Sequence, residues 1–243
     1  MVKELAIIKH HVLQVRDRDL QDFLKIVFSS ILVTVSNQDS DTRYTRRDKN
    51  IKARDTFLLF GRRVRQAVER MREFNLSAPA REVKVYAADA RKLDRVLQPE
   101  SVDLVVSSPP YPNAFTYHLY HRNRLFWLDM DPYALKKTEM GSHRKYSARN
   151  GATKETFAAE MASVFAGIGR ALKSGRFCCM VIGDSIVRGE LIRNNELLTE
   201  VAERGGFHLL KEIRRTIDSK RKAFNPTVGR IKEESILVFE GGK

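Results

Sequence analysis

Short apolar runs alternate with helical patterns after residue 80, and this alternation limits the fold more than any other feature of the sequence. Residues 83–88, 102–107 and 177–182 are typical of strands. Residues 153–173 carry apolar side chains at helical spacing, with Gly175 as the end of that helix, and residues 190–204 are typical of a further helix. Strands that alternate with helices form an α/β sheet with a parallel centre. Two further apolar runs, residues 207–217 and 234–240, have no helix between them, so we expect a C-terminal antiparallel hairpin at one edge of the sheet.

The first 80 residues have a different pattern. Helical spacing predicts a helix over residues 19–35, with Asp19 as its N-cap, and a second helix from about residue 57 to residue 71. Residues 36–54 are polar and basic, which favours an exposed loop. We therefore predict two parts, a helical N-terminal region with a basic loop (residues 1–80) and an α/β part (residues 81–243).

The chain is strongly basic. It has 44 Lys and Arg against 30 Asp and Glu, a net charge of +14. Such a balance attracts polyanions, so nucleic acid is the expected partner, although a basic surface also serves solubility. Two segments concentrate the charge, residues 43–72 and 204–232. Within them the candidate DNA-binding residues are Arg46, Arg47, Lys49, Lys220, Arg221 and Lys222, and the alternative is that these residues only keep an exposed face solvated.

The cysteines and the hydropathy pattern argue against a disulfide-bonded, metal-binding, secreted or membrane protein. The two cysteines, Cys178 and Cys179, are adjacent in an apolar run, where neighbours on a strand point to opposite faces. They are therefore interpreted as buried side chains rather than a disulfide or metal pair. No Cys/His cluster has zinc spacing, and we expect no metal. No secretory signal or membrane span is evident, so we expect a cytoplasmic protein that does not enter a membrane.

The most informative segment follows the predicted strand 102–107. Ser108, Pro109, Pro110 and Tyr111 lie where the chain leaves the carboxyl end of that strand, the edge at which open α/β sheets bind ligands. Consecutive prolines fix φ and keep the preceding residue extended, so this segment is stiff. A stiff segment followed by an aromatic ring suits a site for a flat ligand, although a simple proline turn has the same sequence.

This tetrapeptide resembles the catalytic motif of S-adenosylmethionine-dependent amino-methyltransferases, and the following NAFTYHLYHRNRLFWL resembles the same region of bacterial DNA modification methylases. The resemblance implies a Rossmann-like methyltransferase sheet and a base extruded from DNA. It also implies that Ser108 and the carbonyl of Pro109 accept hydrogen bonds from the exocyclic amine while Tyr111 stacks on the ring. Ser at the first position favours cytosine N4, and Asp there favours adenine N6.

The same resemblance suggests how the methyl donor, S-adenosylmethionine, is bound. Asp89-Ala90 follows the predicted strand 83–88, where the family has an acidic residue that accepts from the adenine of the donor. The alternative role for Asp89 is the cap of the next helix. Asp184, at the end of strand 177–182, is either a cap or part of a pocket wall.

One element of the family is missing from the sequence. No Asp-Pro-Phe-x-Gly-x-Gly loop occurs, and the single Gly-x-Gly, residues 167–169, lies inside the periodic helix 153–173. The resemblance therefore covers residues 83–240 and implies a partial sheet. Either a second polypeptide supplies the glycine loop or the chain is a truncated, inactive product. We favour the second polypeptide, because the N-terminal region is coherent and an open sheet edge is prone to aggregation.

The sequence thus predicts one half of an enzyme that methylates an exocyclic amine of DNA, with cytosine N4 as the favoured target and restriction–modification as the context. An adenine-N6 or RNA methyltransferase would use the same pocket. A different class, a non-catalytic DNA-binding subunit, would keep the fold without the reaction.

Overall fold

The structure is a computed structural model that describes residues 1–41, 43–78, 81–217 and 233–241, apart from the side chain of Tyr44. The chain divides into two compact units. Unit 1 comprises Met1–Lys84 and Tyr117–Lys137, and unit 2 comprises Val85–Thr116 and Thr138–Lys243. Unit 1 thus combines the N-terminal region with a segment that comes later in the sequence than the predicted boundary at residues 80 and 81.

Unit 1 is mainly helical, as the sequence predicts. Its elements are α1 (Val2–Leu13), α2 (Arg18–Val35), β1 (Gln38–Ser40), β2 (Arg43–Arg46), α3 (Asp55–Ser77), α4 (Tyr117–Tyr120), α5 (Arg122–Trp127) and α6 (Pro132–Thr138), whose last residue is assigned to unit 2. β1 and β2 form an antiparallel pair, so the prediction of a loop throughout residues 36–54 is wrong in part. Both strands are polar, and the apolar pattern that indicates a strand is absent from them.

The core of unit 1 lies between α1 and α2. Its buried side chains are Leu5, Ile8, Val12, Phe28, Ile31, Leu32 and Val35. The side chain of Asp17 accepts a hydrogen bond from the backbone N–H of Leu20 at 2.8 Å and is the N-cap of α2. The prediction that Asp19 has this role is wrong, because the helix begins one residue earlier, at Arg18, and Asp19 lies within its first turn.

Unit 2 is an α/β unit. Its elements are the 3-10 helix η1 (Ala90–Arg95), β3 (Val102–Ser107), α7 (His143–Ser147), α8 (Lys154–Ala171), β4 (Leu172–Gly183), β5 (Ser185–Val187), β6 (Glu190–Ile192), α9 (Asn194–Arg204), β7 (His208–Thr216) and β8 (Glu233–Gly241). The predicted strand 102–107, the long helix and the two C-terminal strands are confirmed.

The main sheet of unit 2 has the order β3-β4-β8-β7. β3 pairs with β4 in parallel, and β8 pairs antiparallel with both β4 and β7. The prediction of parallel strands followed by a C-terminal antiparallel hairpin is confirmed. Parallel pairing brings the carboxyl ends of β3 and β4 to the same edge, and the antiparallel β8 begins at that edge.

The core of unit 2 lies on one face of this sheet. Phe165 of α8 makes edge-to-face contacts with Phe207 and Phe239, at centroid distances of 5.4 and 5.7 Å. All three rings are fully buried. Phe207 directly precedes β7, and Phe239 lies near the end of β8. Because the two contacts join α8 to both strands of the C-terminal hairpin, Phe165 stabilises the packing of the helix on the sheet.

Three predictions of secondary structure in unit 2 and the segment before it are wrong. The predicted strand 83–88 is neither helix nor strand, and Val83 and Val85 are 80% and 90% exposed. β-branched residues stabilise a strand only where neighbouring strands pair with it, and no described strand pairs with these residues. Gly175 does not end α8: the helix ends at Ala171, and Gly175 lies within β4 at a φ of 65°. The helix predicted over residues 190–204 starts at Asn194, since β5 and β6 form a hairpin before it.

We expect the substitution Phe165→Ala to lower the free energy of unfolding by about 3–5 kcal/mol, since it leaves a cavity between α8 and the sheet. Chemical denaturation of the purified chain measures the change. Phe126→Ala, at an exposed ring, is the control and should change the free energy by about 0.5 kcal/mol or less. Equal effects of the two substitutions would contradict this description of the core.

Candidate functional site

The candidate site begins where the chain leaves the carboxyl end of β3. We call Ser108, Pro109 and Pro110 the Ser-Pro-Pro corner. The hydroxyl of Ser108 donates a hydrogen bond to the carbonyl oxygen of Val181, in β4, at 3.1 Å. Pro109 is buried, whereas Ser108 is exposed. The corner is therefore fixed both by its prolines and by a bond to the neighbouring strand.

A cavity of about 340 Å³ extends along β3 to this corner. All three residues of the corner contribute to its wall, as does Ser107. The remaining wall is apolar and comes from η1, β3, β4, α8 and the loop that contains Met140: Ala90, Leu93, Leu97, Val102, Val105, Met140, Met161, Val164, Ile168, Ala171 and Met180. An apolar cavity with a few hydroxyl and carbonyl groups at one end suits a flat organic ligand that has one polar edge.

Tyr111 has a different environment from the rest of the motif. Its ring is 9% exposed and packs in the core of unit 2, and it does not contribute to the wall of the cavity. Its hydroxyl donates a hydrogen bond to a carboxylate oxygen of Glu234 at 2.9 Å. Arg215 Nε donates to the other carboxylate oxygen of Glu234, also at 2.9 Å. The stacking of Tyr111 on a base therefore stays a prediction, and it requires the ring to leave this position.

The environment of Tyr111 keeps its hydroxyl protonated. Burial raises the pKa of Tyr111 to about 12, and the hydrogen bond to Glu234 adds to the effect. A protonated hydroxyl is the donor that this bond requires. Nothing in the sequence pointed to Glu234 or Arg215, because they lie more than 100 residues further along the chain and meet Tyr111 only through the pairing of β7 and β8.

Gly141 is a second feature that the sequence analysis missed. It has a φ of 69°, and a Cβ atom there would lie 2.9 Å from the carbonyl oxygen of Tyr111 and 3.1 Å from Cβ of Pro110. Only glycine fits both the backbone conformation and this close approach. Gly141 thus places the preceding Met140 against the Ser-Pro-Pro corner, where its side chain contributes to the cavity.

Asp89 caps η1, as the alternative interpretation of the sequence allowed. Its carboxylate accepts a hydrogen bond from the backbone N–H of Arg91 at 3.0 Å and two from the Arg91 guanidinium, at 2.9 and 2.7 Å. Chiefly because of the guanidinium, the pKa of Asp89 falls from 3.8 to about 2. Arg91 also donates to Glu160 at 3.0 Å. Ala90 contributes to the cavity wall, and the contact of Asp89 and Ala90 with a methyl donor stays a prediction.

The other residues singled out from the sequence have simpler surroundings. Asp184 is exposed and directly follows β4, at the same edge as the Ser-Pro-Pro corner. Cys178 is buried, which raises its pKa to about 12, and both cysteines are free thiols. Within the described ranges, no group of three or more His, Cys, Asp or Glu side chains could hold a metal ion. Among those residues, no helix is both long and apolar enough to span a membrane.

The basic candidates of unit 1 differ from one another. Arg46 and Arg47 are exposed and lie near acidic residues, at 3.1 Å from Asp48 and 3.2 Å from Asp39. Lys49 donates to the carbonyl oxygen of Val33 at 2.6 Å, and burial lowers its pKa. Arg46 and Arg47 are thus the more accessible of the three. The other candidates, Lys220, Arg221 and Lys222, lie outside the described residues.

Comparisons with known proteins give only distant similarities. No protein-family profile and no curated protein matches the chain. A Thermus thermophilus protein assigned as a DNA modification methylase and crystallised with S-adenosyl-L-methionine is similar over 64% of this chain and 51% of its own, with 21% identity and a TM-score of 0.40. PvuII DNA methyltransferase, which is cytosine-N4-specific, is similar over 64% of this chain and 48% of its own, with 17% identity and a TM-score of 0.43.

A third solved structure, a TehB-like SAM-dependent methyltransferase from Corynebacterium glutamicum, covers 74% of this chain and 99% of its own, with 14% identity and a TM-score of 0.24. The chain spans about half the length of the first two proteins. Similarity at these identities and TM-scores does not establish a function, which has to be argued from the residues of this chain.

We expect Tyr111→Phe to lower the free energy of unfolding by about 1–2 kcal/mol, since Glu234 loses a buried hydrogen-bond donor. Tyr133→Phe, at an exposed ring, is the control and should have no measurable effect. Thermal or chemical denaturation compares the two variants. If they were equally stable, the bond between Tyr111 and Glu234 would contribute nothing to the fold.

The low pKa of Asp89 predicts a pH dependence. A carboxylate whose pKa is lowered in the folded state stabilises the fold above its unfolded pKa, and this contribution is lost as the pH falls through the folded value. The stability difference between the wild type and Asp89→Asn should therefore be constant above pH 4 and decrease towards pH 2. Denaturant titrations at a series of pH values measure it, and a difference that is unchanged down to pH 2 would exclude the pairing with Arg91 as its source.

Proposed function

We propose that this chain binds a base of DNA through its exocyclic amine and takes part in methylating that amine, with cytosine N4 as the favoured target. The observation that carries the proposal is the Ser-Pro-Pro corner, which is rigid, lies at the carboxyl end of a parallel strand and forms one end of an apolar cavity. The flat face of a base suits the apolar wall, and its amine suits the polar end.

The hydrogen bond of Ser108 supports the role of its oxygen as an acceptor. A hydroxyl has one proton and two lone pairs. Because the proton of Ser108 points to the carbonyl oxygen of Val181, the oxygen of the hydroxyl can accept a hydrogen bond from an amine in the cavity. The carbonyl of Pro109 would be the second acceptor.

Two acceptors at fixed angles would orient the amine for reaction. The lone pair of an exocyclic amine is delocalised into the ring, which makes the nitrogen a weak nucleophile. Hydrogen bonds from both N–H groups favour a more tetrahedral nitrogen with a directed lone pair. Such positioning contributes about 7–11 kcal/mol in favourable reactions. S-adenosylmethionine, when bound, supplies the electrophilic methyl group.

The residues that the structure describes do not by themselves form a complete site for that donor. Both carboxylate oxygens of Asp89 accept hydrogen bonds from Arg91, which leaves Asp89 poorly placed to accept from an adenine. The only Gly-x-Gly sequence lies within α8, where no loop between strand and helix can form. We therefore include in the proposal a second polypeptide that supplies the glycine loop.

A non-catalytic DNA-binding subunit is the second candidate function. The burial of Tyr111 in the core favours it, since a ring in that position cannot stack on a base. Adenine-N6 and RNA methylation remain alternatives for the target, because the same two acceptors would bind any exocyclic amine.

The proposal predicts that Ser108→Ala lowers DNA methylation by about 10²–10³-fold, in line with the loss of one preorganised hydrogen-bonding group at a reacting centre. The chain would be expressed alone and with each flanking reading frame in cells without other DNA methylases. Mass spectrometry of the nucleosides would measure N4-methylcytosine and N6-methyladenine.

Ser163→Ala is the matched control, since Ser163 is an exposed serine of α8, and it should methylate as the wild type does. Full methylation by Ser108→Ala would contradict the pocket. DNA binding without methylation in any combination would favour the non-catalytic subunit.

A further inference from the structure

β3 lies at the edge of the sheet, although its sequence is typical of a strand at the centre of a sheet. Its valine-rich sequence is typical of strands buried on both faces, yet it pairs only with β4 among the described strands. Leu104 and Val106, on one face, are 55% and 70% exposed. Isolated, long apolar edges are rare in proteins because they pair with other chains.

The opposite face of β3 is only partly covered, since Val102 and Val105 are half-buried against the core of unit 2. Val102 and Val105 point to the core side, where they form part of the wall of the 340 Å³ cavity between β3, η1 and α8. Among the described residues, one face of β3 and its free edge therefore lack the neighbours that its sequence suits, and the other face is only partly packed. No single side chain explains this pattern, which is that of a strand with a missing neighbour.

The direction of the chain shows on which side of β3 the preceding segment belongs. The crossover from β3 through α8 to β4 joins parallel strands and is therefore expected to be right-handed. η1 packs against the same helix, since Arg170 donates to the carbonyl oxygen of Asp94 at 3.1 Å and Leu93 contacts Gly167. A right-handed crossover through η1, on that same face, places a strand at residues 85–88 on the free side of β3.

Residues 85–88 nevertheless form no strand. Val85 and Tyr86 are 90% and 53% exposed, and the segment does not pair with β3. A crossover of this hand would bring an apolar segment to the side on which β3 has its unpaired apolar edge, yet the two do not pair. Strands inserted between them would account for both.

We infer that the free edge of β3 binds a companion polypeptide, whose parallel apolar strands insert between β3 and residues 85–88. This inference rests on the proposed function, in which a second polypeptide supplies the glycine loop. Strands next to β3 would end beside the Ser-Pro-Pro corner, since parallel strands share their carboxyl edge. A loop that follows such a strand would therefore lie at the cavity.

A second copy of this chain is a poorer occupant. Two β3 edges related by a two-fold axis would pair antiparallel, whereas the crossover through η1 is of the kind that joins parallel strands. The net charge of +14 also opposes association of two copies. It favours a companion that is acidic, or at least less basic than this chain.

The test uses the full-length chain co-expressed with the product of each flanking reading frame, without DNA or donor. We expect one product to form a 1:1 complex in which hydrogen exchange slows at two places together, the β3 amides that do not bond to β4 and the amides of residues 85–88. The double substitution Leu104→Lys with Val106→Lys should weaken the complex at least about 100-fold, because both side chains become buried on binding. The control is Ile26→Lys with Leu58→Lys, at two exposed apolar residues of unit 1, and it should bind as the wild type does.

Several results would overturn the inference: slow exchange in the isolated monomer of the β3 amides that do not bond to β4, a homodimer that the β3 lysines disrupt, no complex with either product, or a complex that leaves residues 85–88 exchanging freely. Failure of the proposed function is distinguishable from these. A lysine-sensitive complex that does not methylate DNA would contradict the function and retain the interface. Methylation by the isolated monomer would contradict the interface and retain the function.

Discussion

The parallel pairing of β3 with β4 is the constraint on which the candidate site depends. It brings the ends of the two strands to one edge, where the hydroxyl of Ser108 reaches the carbonyl of Val181. Without this pairing the two prolines would stiffen the chain locally but would not fix the orientation of the Ser-Pro-Pro corner relative to the sheet. The rigidity that a base-binding site needs thus comes from a local cause, the prolines, and a non-local one, the ladder between β3 and β4.

The C-terminal hairpin extends this constraint to the other side of the corner. β8 pairs with β4 over its length, so its first residues lie beside the end of β4. Glu234 consequently reaches the hydroxyl of Tyr111, and Arg215, opposite it on β7, holds the carboxylate. The motif is therefore divided by its surroundings: Ser108, Pro109 and Pro110 face the cavity, and Tyr111 belongs to the core.

Periodicity predicted most of the fold of unit 2, because its strands and helices bury apolar faces that are regular in sequence. It located β3, α8 and the final hairpin, and it placed the Ser-Pro-Pro corner at the end of a strand. It failed for residues 83–88, where strand formation depends on a neighbour, and for β1 and β2, which are polar. The partner of Tyr111 was also beyond its reach, since Glu234 comes close only through tertiary packing. The same holds for Glu160, which accepts a hydrogen bond from Arg91.

The failure at residues 83–88 and the missing glycine loop have one physical explanation. A strand is stable only when its hydrogen-bonding groups and apolar side chains meet neighbours, so a segment with strand composition that remains exposed indicates that its neighbours are not among the described residues. β3 gives the same indication from the other side of the gap. The absent loop belongs, in the proposed enzyme, directly after a strand of the missing part. The donor and the base would then meet at an edge that two polypeptides build together, with the Ser-Pro-Pro corner contributed by this one.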